Sequence, residues 1–480
     1  MADATSTRVS IVRETEYGVL PANPQMQMLR FNSSNLSANI TSTTSDEIND
    51  TRNISDSSMV GVENSGDIET ELSLLSHDQL IEGAMFSSWS RMPEVTNKAV
   101  NSPIASISDD TVTLVSGGAV FEPGMIVKLS GFAEGSLNRK AVVVSSSATE
   151  LVLDRSLGTA ASAPIGTRIK AVGVQAETDD IVATANGLTS TILDFTELNI
   201  AVGCWVKLGG SATATRFTRT ENNGFCRVSF IGENMLTFDI VPEGFDADSG
   251  SGKTIEIFTG DYIRNGTTRH SYSVEQLYLD TTPVVRQMFR GVVVGSLSLS
   301  MEAQSIVTCS FNLMGSESEY MDVAPTGQSY YRLSNTEILN TSSNVGRIAE
   351  AGARIAGRNC IMSAAINLDN NLRGRPCIGS LAYRDIGAGR CNVSGNLNTY
   401  FGSAILAKKI LSNEESSVDF RFSGLDSSTV IYDLPRLKFT EGSTPISGID
   451  SDVMLDAGFQ ALVHPTENYT LHIQSFDVTE

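Results

Sequence analysis

Residues 65–72 read SGDIETEL and residues 394–401 read SGNLNTYF. After each Ser-Gly, polar and apolar or small side chains alternate. Period two sends successive side chains to opposite faces of a strand, so each phrase predicts a strand with one wet face and one packed face. The surroundings of the phrase repeat too. NLSANITS, a polar loop over 43–58, SGDIETEL and a helix over SHDQLIEGAMFSSW are matched by MSAAINLD, the loop SLAYRDIGAGR, CNVSGNLNTYF and the helix SAILAKKIL. In the first copy Leu36, Ala38 and Ile40 share the apolar face, and Ser76 has the chemistry of an N-cap. Downstream, SYSVEQLYLD, VVRQMFRGVVV and GSLSLSMEAQSIVTCSFNLMG correspond to SVDFRFSGLD, TVIYDLPRLKF and ISGIDSDVMLDAGFQALV. A unit of about six strands and one helix is therefore written twice, an internal duplication.

The first copy is interrupted after its helix, and the interruption is itself a repeat. GMIVKLSG (124–131) resembles GCWVKLGG (203–210), and NRKAVVVSSSATELVLD (138–154) resembles NGFCRVSFIGENMLTFD (223–239). The expected organisation is an arm at 1–30, a first unit at 31–99 and 256–317, and small all-β, immunoglobulin-like modules at 100–175 and 176–255. A linker at 318–358 and a second unit at 359–480 complete it. The predicted fold class is mainly β: duplicated sandwich or half-barrel units with one short helix each, plus two inserted modules. An insertion at a helix end belongs at the surface.

The net charge of −21 argues against a protein that grips nucleic acid through its phosphates, since that depends on Lys and Arg. The six cysteines form no CxxC, and none has a His at metal-ligand spacing, so free thiols are expected. The first 18 residues lack an apolar core, so no signal peptide is expected, and no apolar run is long enough for a membrane helix. ADSGSGKT (247–254) mimics a phosphate-binding loop, but the β-branched TIEIFTGDYI follows it where a helix would be needed. GFDADSGSG lacks the acidic residue that closes a calcium loop. The four histidines show no catalytic pattern. No enzymatic activity, cofactor or metal is expected.

The duplicated strands share a polar face of short or acidic side chains. Asp67, Glu69, Glu71, Ser296 and Ser298 lie on it in the first copy, and Asn396, Asn398, Asp450 and Asp452 in the second. Helices cover the other side, so this face meets water or a water-filled lumen. A ring of copies with that face inward has a negative bore that repels a duplex from its wall.

The strand–loop–strand–helix order, RNGTTRHSYSVEQ (264–276) and the closing LPRLKF…ISGIDSDVMLDAGFQALVHP…YTLHIQ resemble the major tail tube protein of long, non-contractile-tailed bacteriophages, over roughly residues 10–100 and 258–478. The resemblance implies a structural virion protein, assembled in the host cytoplasm, whose rings stack into a tube for the genome. A duplicated unit implies homotrimeric rings of pseudo-sixfold symmetry. It further implies loops reaching the next ring, with Asp46, Glu47, Asp50, Arg52 and Asp56 in one and Arg384, Asp385 and Arg390 in another. The arm and the linker would lace subunits together, and the inserts would decorate the outside. The expected partners are other copies, the tape measure, terminator and distal tail proteins, and DNA passing without specific binding; no membrane is expected. The alternative is a virion-surface or adhesin-like protein binding carbohydrate or cells. Adhesins repeat modules in tandem, whereas this chain nests one repeat inside another.

Overall fold

A computed structural model of the chain describes residues 3–74, 76–98, 101–332, 336–355, 360–446 and 448–478. The expected boundaries at 99/100 and 358/359 touch positions outside the described residues. The fold is mainly β, as the alternation predicts. The first half contributes β1 (Thr7–Arg13), β2 (Ser37–Thr44), β3 (Ser57–Glu71), α1 (Asp78–Met85), β4 (Tyr272–Tyr278), β5 (Val285–Glu302) and β6 (Thr308–Gly315). The second contributes β7 (Val345–Glu350), β8 (Ile361–Asp369), β9 (Asn392–Tyr400), α2 (Ile405–Ser412), β10 (Glu415–Ser423), β11 (Thr429–Ser443), β12 (Met454–Ala461) and β13 (His472–Phe476).

Strand neighbours in the first half run β1-β4-β5-β6-β3-β2. In the second they run β7-β10-β11-β12-β9-β8. Even the irregularities correspond. β5 bulges between Val294 and Ser296 against β6, and β11 bulges between Phe439 and Glu441 against β12. Such bulges bend a strand. Both β5 and β11 are long enough to serve two sheets, and Gly291 supplies the left-handed turn (φ 61°) that β5 needs. In β11 the corresponding irregularity is at Pro435, where β10 pairing skips from Leu434 to Leu437.

The halves are joined by β5 and β8, paired from Ser296–Asp369 to Glu302–Ser363. One sheet therefore crosses the molecule in the order β2-β3-β6-β5-β8-β9-β12-β11. A single apolar core lies behind it, including Ile68, Phe311, Leu313, Leu368, Leu397 and Leu434, all at most 1% exposed. α1 closes this core with Leu80, Ala84 and Met85, and Gly83 lets it approach, since a Cβ there would lie 2.5 Å from Val294 Cγ2. α2 buries only Leu406 fully, and Ile410 in part.

Several local expectations change. The described part of the expected arm, residues 3–30, is not free: β1 pairs along its whole length with β4, and its Val9 and Ile11 are core residues. Pro and Gly nearby obscured a short strand whose burial depends on distant partners. Described parts of the expected linker are likewise built in, through β7 and the strand Glu317–Met321 on β5. The loop expected at 43–58 is mostly a ribbon, because β2 runs to Thr44 and β3 starts at Ser57, leaving a tip at 45–56. On that ribbon Ile40 is 64% exposed rather than half-buried, for none of the described residues covers it. Ser76 does not cap α1; its hydroxyl turns back to the carbonyl of Leu74, and His77 occupies the cap position without a side-chain bond.

The insert contains two cores, one including Val112, Leu129 and Leu151, the other Phe195, Leu208 and Leu236. It emerges from the first half yet docks against the second. Trp205 is fully buried there, its backbone exchanging hydrogen bonds with the Gln474 side chain (2.7 and 2.9 Å). Arg227 pairs with buried Asp433 at 3.2 Å, and the Arg421 guanidinium lies 3.9 Å from the Phe225 ring centre. Nearby, Lys170 pairs with Asp261 at 2.7 Å and with Asp477 at 3.5 Å, all three buried.

Candidate functional site

The candidate site is the polar face of the eight-stranded sheet. Its registers run as rows across the molecule. One row is Asp67, Asn312, Ser296, Asp369 and Asn392. The next is Glu69, Ser310, Ser298, Asn367, Ser394, Gln460 and Lys438. A third is Glu71, Thr308, Ser300, Ala365, Asn396, Gly458 and Glu441. A fourth is Glu302, Ser363, Asn398, Asp456 and Ser443. These four rows carry seven carboxylates and one cation, Lys438. Alternation explains it: Ile68, Leu297, Leu299, Ile366 and Leu397 lie between them and point to the core.

Short amides and hydroxyls hold the acids in place. Asn312 Nδ2 donates to Asp67 Oδ1 at 2.9 Å, and Ser33 Oγ donates to Glu69 Oε2 at 2.9 Å. Two shallow depressions mark the face. One is lined by Asp67, Ser296, Ser298, Asn312, Asn367 and Asp369, the other by Glu302, Ser363, Asn398 and Asp452 among others. This arrangement offers charge and hydrogen-bonding groups to water but encloses no reaction volume.

Of the residues singled out from sequence, Asp67, Glu69, Glu71, Ser296, Ser298, Asn396 and Asn398 share this surface. Asp450 and Asp452 were expected on a strand. Instead they precede β12, Asp450 in an exposed turn and Asp452 at the rim of the second depression. Asp456 takes the strand position. Glu302, Glu441 and Lys438 were missed. Glu441 lies beyond a bulge, which shifts the alternation by one residue and hides its face from a period-two reading.

Asp46, Glu47, Asp50, Arg52 and Asp56 are exposed at the ribbon tip, beside Ile48 (99% exposed) and Ile54 (71%). Arg384 and Arg390 are exposed in the second loop, but Asp385 is engaged within the chain. It accepts from Arg269 and Arg375, each at 2.8 Å, in a short strand pair at 373–375 and 385–387. Partial burial works against its charge, but Arg269 and Arg375 outweigh that and hold its carboxyl below the usual range. This second loop braces the ribbon, the Val62 amide donating to the Leu381 carbonyl at 2.8 Å.

The phosphate-loop mimic is accounted for structurally. Lys253 Nζ donates to the Thr213 carbonyl at 2.8 Å, and a strand follows at Glu256–Phe258. Among the described residues no group of three or more His, Cys, Asp or Glu side chains is placed to hold a metal, and no helix is long and apolar enough to cross a membrane.

Comparison with known proteins agrees with this picture. A family model described as phage tail tube protein matches residues 4–461. No curated protein matches the chain.

Proposed function

The chain belongs to the phage tail tube protein family, a structural component of the virion tail, and on that premise we propose that its eight-stranded sheet is one third of the wall of the tube's bore. The observation that carries the proposal is the sheet itself. It runs unbroken through two equivalent halves, carries seven carboxylates in those four rows, and ends in two edges that no other described strand pairs: the outer edge of β2, and that of Glu441–Ser443, the end of β11 beyond its pairing with β10. Unpaired edges are templates for another strand. Three chains joined edge to edge give six equivalent units around the axis, with the acidic face inward. Like charges and bound water then keep a DNA duplex from adhering to the wall as it passes.

Rings stack through the ribbon tip and the loop that braces it. Top meets bottom in such a contact, so the assembly is an open filament. Tape measure, terminator and distal tail proteins limit and cap it. The role is structural rather than catalytic. The inserted modules face outward but belong to the wall, since the second seals the outer surface of the other half.

Negative-stain electron microscopy of the purified protein, with rotational averaging of end-on views, tests the reading. The expected result is hollow tubes with three outward projections per ring. Monomers that never polymerise at any concentration or salt would overturn it.

A further inference from the structure

We propose that ring closure copies the chain's own internal seam: β11 of one chain pairs antiparallel with β2 of the next, Glu441 opposite Asn39, Gly442 opposite Ala38 and Ser443 opposite Ser37. The inference rests on the tube reading above and names the register that reading leaves open.

The internal duplication supplies the template. Ser296 and Glu441 both follow the bulge in the long strand of their half, opposite Asn312 and Gly458 respectively. Leu297 therefore corresponds to Gly442, and Ser298 to Ser443. On the other side, β2 pairs with β3 as β8 pairs with β9: Ala38 faces Asn64 where Leu368 faces Val393, and Ser37 faces Ser65 where Asn367 faces Ser394. Gly66 and Gly395 occupy matching places in β3 and β9. Within the chain Ser296, Leu297 and Ser298 pair with Asp369, Leu368 and Asn367. Transferring those pairs to the open edges gives the register stated.

Two exposed apolar side chains agree with it. Leu411, in the last turn of α2, is 87% exposed, whereas Ala84 and Met85 in the last turn of α1 are fully buried. What crosses the internal seam to that turn of α1 is Asn370, which follows β8 and donates to the Ala84 carbonyl at 2.8 Å. The residue equivalent to Asn370 on β2 is Ile40, itself 64% exposed. The register brings Ile40 of one chain to the uncovered end of α2 in the next, so each conceals the other.

The two seams are unequal. β5 continues to Glu302, giving seven residue pairs with β8. β11 stops at Ser443, two residues before Pro445. The seam between chains is therefore the shorter one, and the ring opens there rather than inside the subunit.

Hydrogen-bond phase selects the test. Asn370 donates to the Gly295 carbonyl and Ala303 to that of Met362, so Leu297–Leu368 is a hydrogen-bonded pair and Ser298–Asn367 a closer, non-bonded one. Ser37 and Ser443 are then at disulfide distance between chains. The probe is the S37C/S443C variant with the exposed Cys360 and Cys377 replaced by Ser, assembled and oxidised. Covalent species up to three chains, reversed by dithiothreitol and absent from S37C/E441C, support the proposal. Tubes that cross-link only in S37C/E441C, or in neither, overturn the register while leaving the tube reading intact. Failure of wild-type protein to assemble overturns both. Amide exchange on wild-type protein needs no variant: Ala38 and Gly442 are to gain protection of at least tenfold between monomer and tube, and unchanged exchange at both would refute the pairing.

Discussion

Replacing Arg227 with Met probes whether the insert is a structural part of the wall. The Arg227 side chain is 9% exposed and lies between Asp433, fully buried, and Asp239, about half exposed. Asp239 can resolvate; Asp433 cannot. Removing one partner of a buried pair costs about 3–5 kcal/mol. Burial, only partly offset by Arg227, raises the Asp433 carboxyl to about 6. Its folded pKa is thus above the unfolded value. The associated stability is full below about pH 4, is lost as pH rises towards 6, and is worth about 3 kcal/mol at most. Without Arg227 that pKa rises further, so the variant takes up its proton nearer neutrality. Its deficit is largest at pH 7.5 and shrinks at pH 5.5. The assay is local, because the chain has two tryptophans and Trp205 lies in this seam. In a W89F background, urea unfolding is followed by Trp205 fluorescence at both pH values. R227M/D433N is expected to be more stable than R227M at pH 7.5, with a flatter pH dependence. An R227M variant as stable as its parent at pH 7.5, or a D433N variant that keeps the slope, refutes the reasoning.

Asp477 titrates in the opposite sense. Burial opposes its charge, but Lys170, Arg168 and Lys128 hold it below the ordinary range, so its stabilisation is present above about pH 4 and lost as pH falls through its folded pKa. K170M should lower stability by about 3 kcal/mol at neutral pH and blunt the loss below pH 4, read by calorimetry; an unchanged acid limb counts against this. Ile48 and Ile54 to Asp should alter subunit stability by less than about 0.5 kcal/mol, as exposed positions do, yet leave single rings in place of tubes by microscopy. Normal tubes would remove the ribbon tip from stacking. Lys at 67, 69 and 71 together should make preformed tubes retain duplex DNA with a steep salt dependence, against no retention by wild type. Equal retention by both would show that this face does not line the bore.

What could be read from the chain alone was local or periodic. Alternation around Ile68 and Leu397 assigned one face to the core and one to water, because side-chain period in a strand is a property of the backbone. The duplication was legible because both copies kept the same order of strands, loop and helix. Most of the polar face, Asp67 through Asn398, followed from those two facts. Tertiary structure decided the rest, where a residue's role depends on partners far away in sequence. Thr7–Arg13 is a core strand only because β4, some 265 residues on at Ser10–Glu275, lies beside it. Trp205 is buried because the insert folds back on β11 and β13, with Asp433 228 positions away. The union of two units into one sheet rests on β5 meeting β8, a choice no alternation encodes, since every edge strand offers the same backbone donors and acceptors. Which edges meet is decided by the packing of the side chains behind them, and that packing exists only once the chain has folded.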